Sequence, residues 1–426
     1  MDIPTLYTLF KKHPYIITDT RKMVQNGLFF ALKGDHFNGN TFAKEALKKG
    51  ASYAVVDETA DAGDTKIILV EDVLSTLQQL AAYHRNQLGL PILAITGSNG
   101  KTTTKELINA VLSQKYNTVA TKGNLNNHIG VPLTLLSMDT TTEFGIVEMG
   151  ANHLGEIAFL SQIAQPDYGY ITNFGKAHLE GFGSLEGVVK GKTELYRYLK
   201  AHGKTVFVND AIPKQMAVSK GINRITFGGQ QTEIPVVLHN TVSPFVSVMY
   251  KGLEMNSRLI GSYNFNNIAA AIAIGHYFKV NAKNIKTAIE NYTPQNSRSQ
   301  LINTSHNQLI LDAYNANPTS MLAALENLAG LKVEKKIAIL GDMFELGDSA
   351  LEEHQRIVDV CQEVEIDKVF IIGKLFNQCL VLSEKIEKYS SFEKAIEVFE
   401  SLKNAGATIL IKGSRGMALE RVTKYL

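Results

Sequence analysis

Short apolar runs alternate with longer amphipathic segments along most of the chain. Continuous apolar runs are typical of strands buried on both faces, whereas longer segments with a period near 3.6 residues favour helices. Their alternation predicts parallel sheets covered by helices, which is the α/β fold class. The strand-like runs are residues 53–56, 67–70, 91–96, 144–148, 168–172, 205–208, 309–312, 336–340, 368–372 and 408–411.

The same pattern divides the chain into three blocks, with predicted boundaries at 1–88, 89–292 and 293–426. A helical stretch over 73–88 closes the first block, and Pro91 follows it. The third block repeats the rhythm of strands and helices in a Rossmann-like way. Because no GxGxxG follows its first strand, a dinucleotide is not supported there.

Two parts of the second block have distinctive patterns. Periodic apolar positions over 105–114 and 185–199 predict helices between its strands. Residues 222–260 are richer in β-branched residues and turns, which predicts an antiparallel insert.

Charge and composition exclude several classes of partner. The 426 residues carry 43 Lys and Arg against 41 Asp and Glu, a net charge of +2, so nothing favours nucleic acid. Cys361 and Cys379 lack metal-ligand spacing and suit a reducing compartment. The N-terminus lacks signal-peptide features, and no apolar run approaches the ~20 residues of a membrane span. We therefore expect a cytoplasmic protein without membrane insertion.

The strongest local motif is TGSNGKTTT at 96–104, between an apolar strand and a predicted helix. Backbone N–H groups and the helix dipole converge on an anion at such a junction. Lys101 is expected to reach the terminal phosphates of a nucleotide, and Thr102 to help hold Mg²⁺. Ile95 replaces the first Gly of the usual GxxxxGK[ST] pattern. The alternative is a glycine-rich helix start with a surface lysine.

Polar residues also follow two neighbouring strands. Glu148 ends the run 144–148, and His178 lies in the loop after 168–172 with Asn173 and Glu180. The carboxyl ends of parallel strands gather at one edge of a sheet, so these side chains should lie beside the phosphate loop, where a carboxylate can coordinate Mg²⁺. Glu148 could instead be a solvated acid, and His178 is as consistent with a structural role as with a site role.

Three further polar segments have equally plausible structural roles. The asparagines at 264–267 could simply cap a helix. Asp312 follows a strand and precedes a turn-rich segment, and the cations of KGSR at 412–415 suit an anion or a surface turn.

Together these segments resemble the Mur ligase family over essentially the whole chain. The resemblance rests on TGSNGKTTT (96–104), NLNNHIGVPLTLL (124–136), EMG (148–150), TNFGKAHLEGFGS (172–184), DAYNANPTSM (312–321), LGDMFELG (340–347) and KGSR (412–415). It is closest to the member that adds a D-alanyl dipeptide, and the DNPR motif of the paralogue that adds the third peptide residue is missing. Tyr263, Ser297, Leu311 and Ala313 depart from the family pattern, which usually has His, Gly, an acid and Ser there.

The resemblance implies three domains and an ATP-dependent ligase. The domains are an N-terminal uridine-nucleotide-binding α/β domain, a central parallel-sheet P-loop ATPase domain and a C-terminal Rossmann-like domain. ATP and Mg²⁺ are implied, with UDP-N-acetylmuramoyl-tripeptide and D-alanyl-D-alanine as substrates. A monomer is the default expectation. The alternatives are a folylpolyglutamate synthetase, disfavoured by the long N-terminal block, and a nucleotide-binding scaffold without ligase activity.

The resemblance also assigns roles to residues. The catalytic residues are Lys101, Glu148, His178 and Lys192. The ATP-binding residues are Gly97, Ser98, Asn99, Gly100, Lys101, Thr102, Thr103, Asn267, Arg298 and Asp312. The substrate-binding residues are Asp19, Thr20, Arg21, Lys33, Asn126, Asn127, Asn315, Asn317, Lys412, Ser414 and Arg415. Two Mg²⁺ ions are expected on Thr102, Glu148, His178 and Lys192, the last as a carbamylated lysine for which Lys190 is the competing candidate.

Overall fold

The computed structural model describes residues 1–58, 64–239 and 244–426. We call residues 1–88, 89–292 and 293–426 the N-terminal, central and C-terminal units. Each unit is built on its own mainly parallel sheet, as the alternating pattern predicts.

The N-terminal unit has a parallel sheet in the order β1-β2-β5-β6, with β3 and β4 forming a separate hairpin. Its elements are α1 (Ile3–Lys12), β1 (Ile16–Ile17), β2 (Leu28–Phe30), β3 (Lys33–Gly34), β4 (Phe37–Asn38), α2 (Ala43–Lys48), β5 (Tyr53–Val56), β6 (Ile67–Leu69) and α3 (Val73–Leu88).

Helix α3 joins the N-terminal and central units through a shared core. The Asp72 side chain caps its start, and Gly89 ends it in the left-handed conformation at φ 64°. His84 Nε2 lies 2.9 Å from the carbonyl oxygen of Met138, and Arg85 forms a 2.8 Å ion pair with Asp167. The predicted helix over 73–88 is therefore confirmed, and it packs on the central unit as well as its own.

The central sheet is parallel and has the order β13-β12-β11-β10-β7-β9-β8. Its elements are β7 (Ile92–Thr96), α4 (Lys101–Leu112), β8 (Thr118–Ala120), α5 (Gly130–Leu136), β9 (Phe144–Glu148), α6 (Glu156–Ala164), β10 (Tyr168–Ile171), α7 (Leu179–Phe182), α8 (Leu185–Lys192), α9 (Glu194–Ala201), β11 (Thr205–Asn209), α10 (Pro213–Val218), β12 (Asn223–Gly228) and β13 (Ile234–Pro235). Strand β7 lies between β9 and β10, so the loops after these strands open at one edge.

The predicted antiparallel insert is only partly correct. Strands β14 (Val237–His239), β15 (Phe245–Tyr250) and β16 (Leu253–Ile260) do form an antiparallel sheet. Strands β12 and β13 instead extend the parallel sheet, and the short helix α10 carries the chain back between β11 and β12. Residues 240–243 of the predicted insert lie outside the described residues. Helices α11 (Phe265–Tyr277) and α12 (Ala282–Asn291) complete the unit.

The C-terminal sheet has the order β17-β18-β22-β19-β20-β21, and β17 is antiparallel to β18 at its edge. Its elements are β17 (Gln300–Asn303), β18 (Gln308–Leu311), α13 (Pro318–Gly330), β19 (Lys336–Gly341), α14 (Ala350–Glu363), β20 (Lys368–Ile372), β21 (Ile386–Tyr389), α15 (Ile396–Ser401) and β22 (Thr408–Lys412). Because β18 and β22 are parallel neighbours, Asp312 and Lys412 come together at their ends.

The helical segment predicted over 185–199 is interrupted. Helix α8 ends at Lys192 and α9 begins at Glu194, with Thr193 between them. The Thr193 hydroxyl donates a 2.7 Å hydrogen bond to the carbonyl oxygen of Val189 one turn earlier. Among the described residues, no helix is long and apolar enough to cross a bilayer.

Candidate active site

The loop between β7 and α4 requires glycine at two positions. Gly97 has φ 142°, and a Cβ there would lie 2.0 Å from the Thr172 hydroxyl. Gly100 has φ 78°, and a Cβ there would lie 2.6 Å from Oδ1 of Asn267. Both values lie in the region that favours glycine, so these residues let the backbone turn tightly above the sheet edge.

Lys101 begins α4 and folds over this loop. Its ammonium donates hydrogen bonds to the carbonyl oxygens of Gly97 at 2.8 Å and Ser98 at 3.2 Å. Burial lowers the pKa of Lys101, and the nearby Glu148 carboxylate opposes that shift. A positive charge at a helix N-terminus is placed to meet an anionic phosphate.

Glu148 presents a buried carboxylate oxygen without a hydrogen-bond partner. Its Oε1 accepts a 2.8 Å hydrogen bond from Asn126, whereas its Oε2 has no such partner in the described part of the chain. A buried, desolvated carboxylate oxygen suits a divalent cation. Within residues 1–58, 64–239 and 244–426, no group of three or more His, Cys, Asp or Glu side chains is placed to hold a metal. Mg²⁺ in this class of site commonly takes its other ligands from nucleotide phosphates and water.

The loop after β10 contributes two residues with different environments. The backbone N–H of Asn99 donates a 3.0 Å hydrogen bond to Oδ1 of Asn173, so Asn173 braces the phosphate loop. His178 adopts φ 52° at the start of α7, and its Nδ1 lies 2.6 Å from Oε2 of Glu345 in the C-terminal unit. This contact is the main cause that lowers the pKa of Glu345.

Lys192 is buried, whereas its competitor Lys190 is exposed. The Lys192 amine donates a 3.0 Å hydrogen bond to the carbonyl oxygen of Ala151 and lies 5.0 Å from the centre of the Phe182 ring. Burial and the charge of Lys101 lower the pKa of Lys192 well below its usual range. Burial therefore disfavours the charged form of this amine.

The C-terminal unit closes over the phosphate loop. The amides of Asn99 and Asn317 exchange hydrogen bonds of 2.7 and 3.3 Å. Arg298 lies on the face of the Tyr314 ring, with its guanidinium carbon 3.6 Å from the ring centre. A cavity of about 950 Å³ lies between the two units, and Leu74 and Gln78 of the N-terminal unit also line it.

Most predicted site residues line this cavity. They are Ser98, Asn99, Gly100, Lys101, Thr102, Thr103, Asn126, Asn127, Glu148, His178, Asn267, Arg298, Asp312, Asn315, Asn317 and Lys412. Lys412 and Asp312 contact each other at 2.5 Å, so the predicted substrate-binding lysine is paired with the predicted ATP-binding acid.

The other predicted residues lie elsewhere. Gly97 lies beneath the loop and Lys192 behind Ala151, as their contacts show. Ser414 is buried and accepts a hydrogen bond from the backbone of Phe344, while Arg415 pairs with Glu420. The predicted substrate-binding residues of the N-terminal unit do not line the cavity, whereas Leu74 and Gln78 of that unit do. Asp19 pairs with Arg21, Thr20 is buried between them, and Lys33 pairs with Asp57.

Four residues near the cavity were not anticipated from the sequence. They are Lys105, Lys176, Tyr314 and Glu345. Lys105 could have been found, because it follows Lys101 by four residues and so shares a helix face with it. Lys176 and Glu345 depend on contacts with Glu353 and His178, which lie more than a hundred positions away and which local patterns do not reveal. Tyr314 contacts Arg298, which lies in the loop before β17.

The fold and cavity define a nucleotide-phosphate-binding α/β enzyme assembled from several units. Family comparisons match the chain to the Mur ligase family, catalytic domain, over residues 15–85, to the Mur ligase middle domain over 95–275, and to the Mur ligase, glutamate ligase domain, over 297–415. The chain belongs to the Mur ligase family.

Full-length relatives agree with this assignment. The chain is 37% identical over 424 residues to the UDP-N-acetylmuramoyl-tripeptide–D-alanyl-D-alanine ligase of Bacillus subtilis (strain 168), covering 96% of this chain and 92% of that protein. It superposes on MurF from Acinetobacter baumannii with a TM-score of 0.87 and 30% identity, over 96% of this chain and 92% of that one. It also superposes on the MurF ligase from Thermotoga maritima in complex with ADP with a TM-score of 0.86 and 25% identity, over 98% of this chain and 97% of that one.

Proposed function

We propose that this chain joins D-alanyl-D-alanine to UDP-N-acetylmuramoyl-tripeptide in an ATP-dependent reaction of peptidoglycan precursor synthesis. The observation that carries the proposal is the cavity that Lys101 and Glu148 of the central unit line together with residues of the C-terminal unit. The relative from B. subtilis, which matches 96% of this chain, is named for this activity. The N-terminal unit and that relative favour this reaction over folate ligation or a non-catalytic scaffold.

The chemistry proceeds through an acyl phosphate. A terminal carboxylate oxygen of the tripeptide forms a bond to the γ-phosphorus of ATP, and ADP leaves. The neutral amine of D-alanyl-D-alanine then attacks the acyl carbon, and the tetrahedral intermediate expels phosphate, which takes up the proton that the amine loses. Lys101 stabilises the charge on the transferring phosphoryl group, and closure of the C-terminal unit excludes water from the acyl phosphate.

Thr102, Glu148, His178 and Lys192 are the proposed residues for two Mg²⁺ ions. Magnesium supplies charge neutralisation for the phosphates during transfer. The chain's contribution is to orient the carboxylate of Glu148 through Asn126 and to place His178 beside Glu345. The free Oε2 of Glu148 is the feature that fits a cation.

Lys192 is the proposed site of carbamylation. Its amine is buried and its pKa is lowered, which favours the neutral form. The neutral nitrogen forms a bond to the carbon of CO₂ and releases one proton, which converts a potential cation into an anion with two oxygens. An anion beside the cavity attracts a divalent cation, whereas an ammonium repels it.

The units are proposed to divide the work among them. Residues 1–88 hold the uridine nucleotide through Asp19, Thr20, Arg21 and Lys33, residues 89–292 bind ATP, and residues 293–426 close the site. The remaining substrate contacts are assigned to Asn126, Asn127, Asn315, Asn317, Lys412, Ser414 and Arg415. A cytoplasmic monomer is also proposed.

Phosphate release measured with substrates added singly and together tests the proposal. We expect release only when ATP, UDP-N-acetylmuramoyl-tripeptide and D-alanyl-D-alanine are all present. Replacing the two peptide substrates with a folate and glutamate is expected to give none. Release with the folate pair would support the folylpolyglutamate alternative, and release with neither pair would support the scaffold.

A further inference from the structure

Lys105 is a buried lysine that the proposed reaction does not use. Its side chain is 3% exposed and lies one helical turn beyond Lys101 on α4. The ammonium donates a 2.7 Å hydrogen bond to the carbonyl oxygen of Thr121. It lies 3.9 Å from Oε2 of Glu148 and 3.8 Å from Oε1 of Glu106. Burying a charge costs free energy unless the charge is paired, so the burial of the Lys105 ammonium among these acceptors requires an explanation.

Thr121 forms hydrogen bonds with both the Lys105 side chain and the Glu148 backbone. Its carbonyl oxygen accepts from Lys105, and its hydroxyl accepts a 2.9 Å hydrogen bond from the backbone N–H of Glu148. The ammonium therefore lies near Oε2 of Glu148 but makes no hydrogen bond to it. That oxygen has no hydrogen-bond partner among the described residues, and Glu148 is one of the residues that line the cavity.

Of the two acids beside Lys105, Glu148 depends on it more. The Glu106 side chain is 27% exposed, and its Oε2 accepts a 2.6 Å hydrogen bond from the Tyr292 hydroxyl. The Glu148 side chain is 2% exposed and has an unpaired oxygen. Arg298 and Lys101 are the other charged groups that act electrostatically here. Removing the Lys105 charge thus leaves Glu148 as the least compensated group.

We propose that Lys105 is a positioning residue that serves as the resident counter-cation of Glu148. It stabilises the buried carboxylate before a divalent cation arrives, and it weakens the binding of that cation by repulsion. The inference rests on the proposed role of Glu148 in holding Mg²⁺. By linkage, a protein without this charge gains more stability from the metal than the natural protein does.

Mn²⁺ binding to the full-length, nucleotide-free protein tests the inference. Mn²⁺ serves as the probe, with affinity measured by electron paramagnetic resonance and melting temperature measured with and without the ion. We expect Lys105→Met to lower the Kd for Mn²⁺ severalfold and to lower the melting temperature mainly when Mn²⁺ is omitted. Lys105→Arg, which keeps the charge, should behave like the natural protein.

Matched variants separate this role from a merely structural one. Lys115 is exposed and also donates to a backbone carbonyl oxygen, that of Phe278 at 3.1 Å, so Lys115→Met should leave the Mn²⁺ affinity unchanged. In a Glu148→Gln background, Lys105→Met should no longer tighten Mn²⁺ binding. If Lys105→Met alone is too unstable to purify, the double variant Lys105→Met, Glu148→Gln should recover stability.

Three results would overturn the inference. They are an unchanged Kd in Lys105→Met, equal destabilisation with and without Mn²⁺, or a double variant no more stable than Lys105→Met. Substrate-dependent phosphate release by the natural protein is measured separately. A ligase-active protein with any of these results loses only the role of Lys105, whereas a protein that releases no phosphate loses the proposed function.

Discussion

At the scale of single residues, Lys190 and Lys192 lie two positions apart on one helix but differ in their exposure to solvent. Lys190 is exposed, whereas Lys192 is buried and its pKa is lowered by burial. We predict that protein equilibrated with ¹³C-bicarbonate shows a carbamate signal by NMR and that Lys192→Ala removes it. The variant should lose nearly all ligase turnover, because a divalent cation loses its anionic ligand.

The control for this prediction is Lys190→Ala, which should keep both the NMR signal and most of the turnover. Short carboxylic acids should partly restore turnover in Lys192→Ala, since they replace the two oxygens of the carbamate. A carbamate signal that persists in Lys192→Ala would assign the modification elsewhere.

Ser297 occupies a backbone conformation that favours glycine. Its φ is 55°, and its carbonyl oxygen accepts a 3.2 Å hydrogen bond from the N–H of Tyr314. A left-handed conformation costs an L-residue about 1–2 kcal/mol, and glycine loses about 0.5–1 kcal/mol through its unfolded state. We therefore predict that Ser297→Gly raises the free energy of unfolding by roughly 0.5 kcal/mol in denaturant titrations.

Ser75 provides the comparison, because it is a serine in the first turn of α3 and its φ is not positive. Ser75→Gly should lower the free energy of unfolding, since glycine has a lower helix propensity than serine. Equal losses in both variants would show that the conformation at Ser297 stores no strain.

Residues of the phosphate loop were predictable because their signal is local. A strand, two glycines, Lys101 and a helix start follow one another, and the structure places them as expected. Glu345 was not predictable, because its contact with His178 crosses from one unit to another. Glu345 reaches the cavity and His178 only when two parts of the chain that are distant in sequence meet.

At the scale of elements, the start of α13 links helix capping to the phosphate loop. The Asn317 side chain accepts a 2.9 Å hydrogen bond from the N–H of Ser320, and it also bonds to Asn99. We predict that Asn317→Ala lowers the free energy of unfolding by about 1 kcal/mol, as loss of an N-cap does. It should also raise the KM for ATP, because Asn99 loses its partner.

Asn317→Ser separates these two effects. Serine still caps the helix, so stability should stay near that of the natural protein, while its short side chain cannot reproduce the paired amide contact. A normal KM for ATP in both variants would mean that the Asn99 contact has no role in nucleotide binding.

Most strands and their parallel direction were predictable from the alternating pattern, but the strand order and the direction of β12 were not. The residues of β12 have the β-branched, turn-flanked pattern of an antiparallel strand, yet they extend the parallel sheet. The short helix α10 determines this direction, and its six residues are too few to produce a clear helical period. The break between α8 and α9 was missed for a similar reason, since one threonine separates two segments of continuous helical periodicity.

At the scale of the whole molecule, the cavity exists only because the central and C-terminal units approach each other. Lys176 of the central unit forms an ion pair with Glu353 on α14, and its backbone N–H donates a 3.0 Å hydrogen bond to Thr319 on α13. The Asn99–Asn317 and His178–Glu345 contacts cross the same boundary. The closed arrangement is thus stabilised by polar contacts that water can replace when the units separate.

The ion pair between Lys176 and Glu353 offers a direct test of this closure. The Glu353 side chain is 5% exposed, so it depends on Lys176 across the boundary and on Arg356, 3.9 Å away on its own helix. We predict that Lys176→Met weakens closure by about 1 kcal/mol, a roughly fivefold shift toward the open arrangement. Small-angle scattering should show a larger radius of gyration, and the KM for ATP should rise.

Arg356→Met removes a partner of the same carboxylate within one unit, so it should change neither quantity. Equal effects of the two variants would mean that the charge balance of Glu353, and not its contact between units, controls closure.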